Sequence, residues 1–309
     1  MHHFTLRSSD GRTPLHAVMW QPQSEPVAVV QIAHGMIEYI ERYDAFAQYL
    51  SRHGFLVVGH DHIGHGASIR NATDWGHFAD RDGFAIVVDD LHVVRNHVHA
   101  KYPHTPYFLL GHSMGSFAVR TYLTCHAEGL SGALILGTGQ HPAWQLRCAL
   151  ALGTLIVHTL GPRYRSRLLA YATTGALNRP FREEGQNAWL TRDRTVVEAY
   201  NHEPRCSFQF TAASYASMYR AMLALHEKQA VSSLPAGLPI LLASGQADPL
   251  GGMGKRVRAL YEAYKAAGLR DVTLRLYPDC RHELLNELDR ERVFADIHQW
   301  LSDHLPAQI

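Results

Sequence analysis

Six short apolar runs punctuate the chain, and each reads as a buried strand. They are Val27–Ala33, Phe55–Val58, Tyr107–Leu110, Ala133–Leu136, Ile240–Leu242 and Val272–Leu276. Hydrophobic residues follow one another in most of them without the polar alternation of a half-exposed strand, so both faces of the sheet must be covered. The intervening stretches have a different period. Tyr43, Phe46, Ala47 and Leu50 fall at i, i+3, i+4 and i+7, one face of a helix that stops at Gly54. Helical patterns also cover about 82–100, 114–127, 211–228, 255–267 and 291–304. Strands alternating with helices predict an α/β chain with a mostly parallel sheet.

The alternation fails once, between Gly139 and about Ser207. That is too long for a structureless loop in a compact domain. Residues 140–207 are therefore expected to form an inserted helical cap, with 1–139 and 208–309 as the core. From Gly129 through Arg182 there is no Asp, Glu or Lys, but there are six arginines: Arg147, Arg163, Arg165, Arg167, Arg179 and Arg182. A solvated basic surface is one reading. A greasy, positive lid in peripheral contact with an anionic lipid surface is the other.

Charge narrows the functional classes. The chain carries 29 Lys+Arg and 28 Asp+Glu, a net charge of +1, which excludes the basic excess of a nucleic-acid binder. Its longest uncharged apolar run, Cys148–Pro162, falls short of the ~20 residues a membrane span needs. Met1–Arg7 has no apolar core for a signal peptide, and the four cysteines are widely spaced. These features together read as a cytoplasmic protein with free thiols.

Chemistry is concentrated where strands end. Gly111-His112-Ser113-Met114-Gly115 fits G-x-S-x-G, directly after a strand and directly before a helix. That is the sharp turn that exposes a nucleophilic serine. A serine hydroxyl needs a base. Of 22 histidines, His282 lies in the loop after the last strand, where such sheets build their sites. Asp248 follows the preceding strand and is the expected orienting carboxylate; Asp279 is the nearer alternative. The oxyanion donors fall to the backbone N–H groups of Met114 and, in the loop after the first buried strand, Met36. His34 and Gly35 shape that loop, and His112 belongs to the elbow.

With these residues placed, the chain resembles the monoacylglycerol lipase and lysophospholipase branch of the serine α/β-hydrolases. The resemblance runs through His34–Tyr43, Asp61–Ser68, Gly111–Gly115, Asp248 and His282–Glu287. It implies an α/β-hydrolase fold: an eight-stranded, mostly parallel sheet with helices on both faces and an inserted helical cap. It also implies an acyl-ester or lysolipid substrate and no cofactor, with Glu38 and Arg42 supporting the oxyanion loop. His60-Asp61-His62-Ile63-Gly64-His65 invites a metallohydrolase reading, but Gly64 stands where that signature needs Asp, so no metal is expected. An aminopeptidase or carbon–carbon bond hydrolase would use the same triad, and a non-catalytic lipid receptor the same fold.

Overall fold

The structure is a computed structural model that describes residues 1–306. Eight strands form one sheet: β1 His2–Arg7, β2 Pro14–Trp20, β3 Ala28–Ala33, β4 Phe55–His60, β5 Tyr107–His112, β6 Gly132–Leu136, β7 Ile240–Gly245 and β8 Val272–Tyr277. Their spatial order is β1-β2-β4-β3-β5-β6-β7-β8. Pairs β1–β2 and β2–β4 are antiparallel, and the rest are parallel. The last six strands fall on the apolar runs. The first two were not foreseen. β1 is an edge strand that half-buries only Phe4 and Leu6, so burial marks it weakly. Its hairpin closes through Asp10, whose carboxylate accepts from the Arg12 and Thr13 amides at 2.7 and 2.8 Å.

Ten helices accompany the sheet among the described residues: α1 Asp44–Arg52, α2 Gly83–Lys101, α3 Met114–His126, α4 Ala143–Leu160, α5 Arg167–Thr173, α6 Arg194–His202, α7 Ala212–Ala224, α8 Lys228–Ser232, α9 Lys255–Ala266 and α10 Arg290–Asp303. On one face α1 and α10 bury Phe46, Leu50, Phe294 and Ile297. On the other, α2, α3, α7 and α9 bury Val87, Val119, Tyr215 and Leu260. Each such side chain contributes about 1.5–3 kcal/mol. The one polar residue inside β3, Gln31, is satisfied: its amide donates to the Leu91 carbonyl and its carbonyl accepts from Tyr107 Oη. The pattern expected as one helix over 211–228 is broken after Ala224, where His226 turns toward Gln140.

Within residues 140–207 the chain forms α4, α5, α6 and two 3-10 segments, Gly175–Glu184 and Pro204–Cys206. Two of the six arginines there face the core. Arg163 pairs with Asp74 at 3.1 Å. Arg165 donates to the Thr73 and Trp75 carbonyls at 3.0 and 2.7 Å and also to that of Gln209. These two cations fasten the insertion, Arg165 half-buried and Arg163 still partly exposed to solvent. The apolar run also extends further than the sequence suggested. It begins at Ala143, and α4 is long and apolar enough to cross a membrane by length and composition, with only 11% of it buried.

Several of the histidines are core residues. His60, His62 and His65 are fully buried beside His34, with the rings of His34 and His62 4.2 Å apart. Neither nitrogen of His60 has a partner. Burial pushes His60 and His65 down to about 3, and His62 and His34 are lowered by the same cause. The unfolded chain takes up these protons near pH 6.5, whereas the fold resists them. Their stabilising effect is therefore complete above pH 6.5 and is lost as pH falls, at about 1.4 kcal/mol per pH unit per imidazole. Urea unfolding from pH 7.5 to 5 should show this loss. His60→Leu should reduce the slope by about one proton and raise the midpoint at pH 5; an unchanged slope would contradict neutral burial.

Candidate active site

The geometry of the elbow forces its composition. Ser113 adopts φ 54° and ψ −119° between β5 and α3, a strained conformation costing on the order of 1–3 kcal/mol. Its amide donates to the Leu136 carbonyl at 3.0 Å, which pins the turn to β6. A Cβ on Gly115 would lie 2.0 Å from the Ala33 carbonyl oxygen, and one on Gly111 would lie 2.4 Å from that of Gly115. Only glycine lets α3 start this close to the end of β3.

The expected acid and base, Asp248 and His282, come together across 34 residues of sequence. His282 Nδ1 lies 3.0 Å from Asp248 Oδ2. Asp248 also accepts from Ser244 Oγ at 3.2 Å and from the Leu250 amide at 2.8 Å. Burial alone would raise its carboxyl, but His282 and these donors hold it below the usual range. The two loops are stitched by backbone bonds at 2.9 Å, Gln246 to Tyr277 and Ala247 to Cys280. The alternative acid, Asp279, is exposed. The Nδ1–H of His282 thus points at Asp248, and its buried Nε2 has no partner. Trp189 covers the ring at a centroid distance of 4.6 Å.

Loop 34–38 lies against the elbow: a Cβ on Gly35 would sit 3.1 Å from Ser113 Cβ. His34 is buried, with its Nε2 accepting from the His62 amide at 2.9 Å. The Met36 and Met114 amides donate to no backbone carbonyl among the described residues, and both residues line the cavity that holds Ser113 and His282. Donors free to point at one place can stabilise a developing oxyanion.

Behind the loop lies a buried charge cluster. Glu38 Oε1 accepts from the Gly35 amide at 2.5 Å and from Tyr43 Oη at 2.9 Å. Arg42 donates to Glu38 at 2.7 Å and makes a bidentate pair with Glu283 at 2.8 and 2.7 Å. His112 Nδ1 is 3.3 Å from Glu38, and its Nε2 is 3.3 Å from the His282 carbonyl. Burial lowers His112, but the Glu38 carboxylate outweighs it and leaves His112 raised. Burial raises both carboxyls, yet His112 and Arg42 hold Glu38 well below its ordinary range, and Arg42 does the same for Glu283.

Sequence reasoning missed Glu283, Tyr43 and Tyr200 as members of this cluster, with the Arg42 guanidinium 4.9 Å over the Tyr200 ring. It also missed Glu287, which accepts from the Arg281 amide at 2.8 Å and so braces the loop of His282. Adjacency to His282 was the available signal for Glu283, since a residue beside the base shares its loop. His141 was missed too. It lines the cavity, receives a bond from Arg256 at 3.2 Å on Nδ1, and is pushed down to about 3 by burial.

Removing the central cation should be severe. Arg42→Met leaves two buried carboxylates short of a partner and should cost roughly 3–5 kcal/mol. Their carboxyls should then rise above the ordinary range, so the variant's deficit should grow as pH increases. Urea unfolding at pH 5.5 and 8 checks this, and a deficit independent of pH would argue against buried, ionised partners.

The Hydrolase_4 family, described as serine aminopeptidase, S33, matches residues 24–289. The chain is 29% identical to a monoglyceride lipase of Rattus norvegicus, over 97% of this chain and 90% of that one. It is 27% identical to a monoacylglycerol lipase of Mycolicibacterium smegmatis, over 93% and 92%. A thermostable carboxyl esterase from Bacillus coagulans, solved with glycerol, superposes with a TM-score of 0.91 at 26% identity, covering 99% of both chains. The chain belongs to the Hydrolase_4 family and has its α/β-hydrolase fold.

Proposed function

We propose that the protein is a serine carboxylic-ester hydrolase whose substrates are monoacylglycerols. The carrying observation is the cavity above Ser113. It has a volume of about 680 Å³ and walls that include Phe117, Leu146, Leu152, Met218 and Met222. That size falls within the ~300–1,000 Å³ of sites that bury a small ligand, and the walls suit an acyl chain. No Lys or Arg lines it, and His112, which does, is engaged by Glu38, so a lysophospholipid phosphate has no free cation to meet there, whereas a glycerol headgroup needs none. Relatives named as monoglyceride lipases support the same reading.

In this reading, Ser113 attacks the ester carbonyl while His282 Nε2 takes its proton. Asp248 holds the tautomer and stabilises the imidazolium. The Met36 and Met114 amides stabilise the tetrahedral oxyanion, with His34, Gly35, Glu38, Arg42 and His112 fixing the loops around it. His282 then protonates the departing alcohol. Water, deprotonated by the same nitrogen, releases the acid and regenerates Ser113.

An aminopeptidase needs a free carboxylate to hold the substrate ammonium. The only carboxylates lining the cavity are Glu38 and Glu283, and both are bound to Arg42. Of the acidic pair just past the arginine-rich stretch, Glu184 pairs with Arg281 at 2.6 Å, and neither it nor Glu183 lines the cavity. The ester reading is therefore preferred.

Residues 140–207 act in this proposal as a cap that meets lipid. Trp144, Leu155 and Leu160 on α4 and Leu168 and Tyr171 on α5 are each at least half exposed, with Arg147 and Arg167 exposed beside them. Exposed apolar surface of this extent marks an interaction site.

A fluorophosphonate probe should label the protein and not Ser113→Ala, while labelling that persists in the variant would reject Ser113. Asp248→Asn should reduce kcat by on the order of 10⁴. Across a panel of mono-, di- and triacylglycerols, lysophospholipids and aminoacyl amides, monoacylglycerols should have the highest kcat/KM. A preference for aminoacyl amides would overturn the substrate assignment and leave the triad standing. Leu155→Glu with Leu168→Glu should weaken sedimentation with lipid vesicles without changing hydrolysis of a soluble short-chain ester.

A further inference from the structure

Three ligating side chains converge at the hairpin edge of the sheet, away from the cavity. His3 comes from β1, His16 from β2, and Glu41 from the 3-10 turn Ile40–Tyr43. His3 Nδ1 lies 3.0 Å from His16 Nε2 and 3.8 Å from Glu41 Oε1. One ligand atom from each of the three falls within 4.8 Å of the others. Ligands about 2.0–2.2 Å from one tetrahedral ion lie roughly 3.3–3.5 Å apart, so small side-chain rotations bring this set to bonding geometry.

A fourth residue prepares the site. His16 Nδ1 is 3.0 Å from Asp61 Oδ2, and Asp61 is buried. A carboxylate there keeps the proton on Nδ1 and leaves the Nε2 lone pair for an ion. This is the carboxylate–histidine support that metal-binding imidazoles use. Asp61 is itself fixed, accepting from the Ile40 and Ala67 amides at 2.8 Å each. Arg205 donates to Glu41 Oε2 at 3.1 Å, which leaves Oε1 facing His3.

We infer that His3, His16 and Glu41 form a binding site for a divalent cation of the zinc class, with water as the fourth ligand. Two imidazoles and one carboxylate suit zinc and its transition-metal neighbours, whereas magnesium and calcium prefer all-oxygen sets. The ion joins the β1–β2 hairpin to the turn that carries Arg42. It is therefore a stabilising clamp, and the proposal is independent of the hydrolytic reading.

Zinc titration calorimetry on the full chain tests it, with magnesium and calcium as controls. Because 22 histidines offer weak sites elsewhere, the signal is the difference between the protein and its variants. The unaltered protein should bind one more equivalent of zinc than His3→Ala, or bind it at least tenfold more tightly than Glu41→Gln. Zinc should raise its Tm by several degrees and leave that of His3→Ala unchanged. His3 is exposed on an edge strand, so its variant should keep the circular dichroism spectrum and soluble-ester hydrolysis of the original. Equal zinc stoichiometry, affinity and Tm response in all three proteins would overturn the site, as would an equal response to calcium.

Discussion

Four buried ionisable groups hold the reactive loops in register: Glu38, Arg42, His112 and Glu283. They come from the loop after β3, the turn before α1, the end of β5 and the loop after β8. Taking such charges out of water costs several kcal/mol per ion, so the cluster persists only if it is internally neutral and fully bonded. Two carboxylates face one guanidinium. The fourth member, His112, completes the bonding: its two nitrogens lie 3.3 Å from Glu38 and from the His282 carbonyl, and the Glu38 carboxylate favours its protonated form. Each ionised state is thus maintained by the others. A shift of any one loop would strand a charge, so the cluster favours a single arrangement of loops over a range of nearby ones.

The backbone enforces the same arrangement by contact. Parallel strands deliver three loops to one end of the sheet, but delivery alone leaves ångströms of freedom. The glycines remove it. Gly115 lets α3 touch the end of β3, Gly35 lets the next loop reach Ser113, and Gly245 brings the turn of Asp248 against the Cys280 carbonyl. At each position a methyl group would meet a fixed atom well inside contact distance. Strain at Ser113 is then tolerated because its amide is bonded to β6 and α3 cannot retreat.

What was legible in the sequence follows from this division. Strands buried on both faces are apolar almost throughout, so β3 to β7 could be read directly, and half-buried β8 shows in the alternation of Val272, Leu274 and Leu276 with Thr273 and Arg275. β1 half-buries only Phe4 and Leu6, and two apolar positions are too short a mark to read. Ser113, Asp248 and His282 were readable because order along the chain and position after a strand select them from many candidates. Glu283 was not singled out, since a carboxylate one residue from the base looks like any polar loop residue until Arg42 is seen opposite it. The interior histidines were hidden for a related reason. An imidazole is called polar by composition, yet His60 is packed as an apolar ring and held neutral by burial.

The acid-free stretch from Gly129 to Arg182 changes meaning once its arginines are located. Arg163 and Arg165 are consumed in fastening the insertion to residues 73–75 and 209, so the positive sum overstates the charge offered to a ligand. The absence of carboxylates matters more. Every residue between 140 and 207 that lines the cavity is uncharged, counting His141 as neutral with its pKa near 3. The acidic residues the cavity does hold, Glu38 and Glu283, belong to the core and are neutralised there. A chamber without free charge of either sign penalises a substrate ammonium or phosphate by its lost hydration and returns no ion pair. An uncharged ester suffers no such penalty, and apolar walls reward its chain in proportion to the area removed from water. In the proposed reading, selectivity for neutral acyl esters rests on what the insertion omits as much as on the candidate triad.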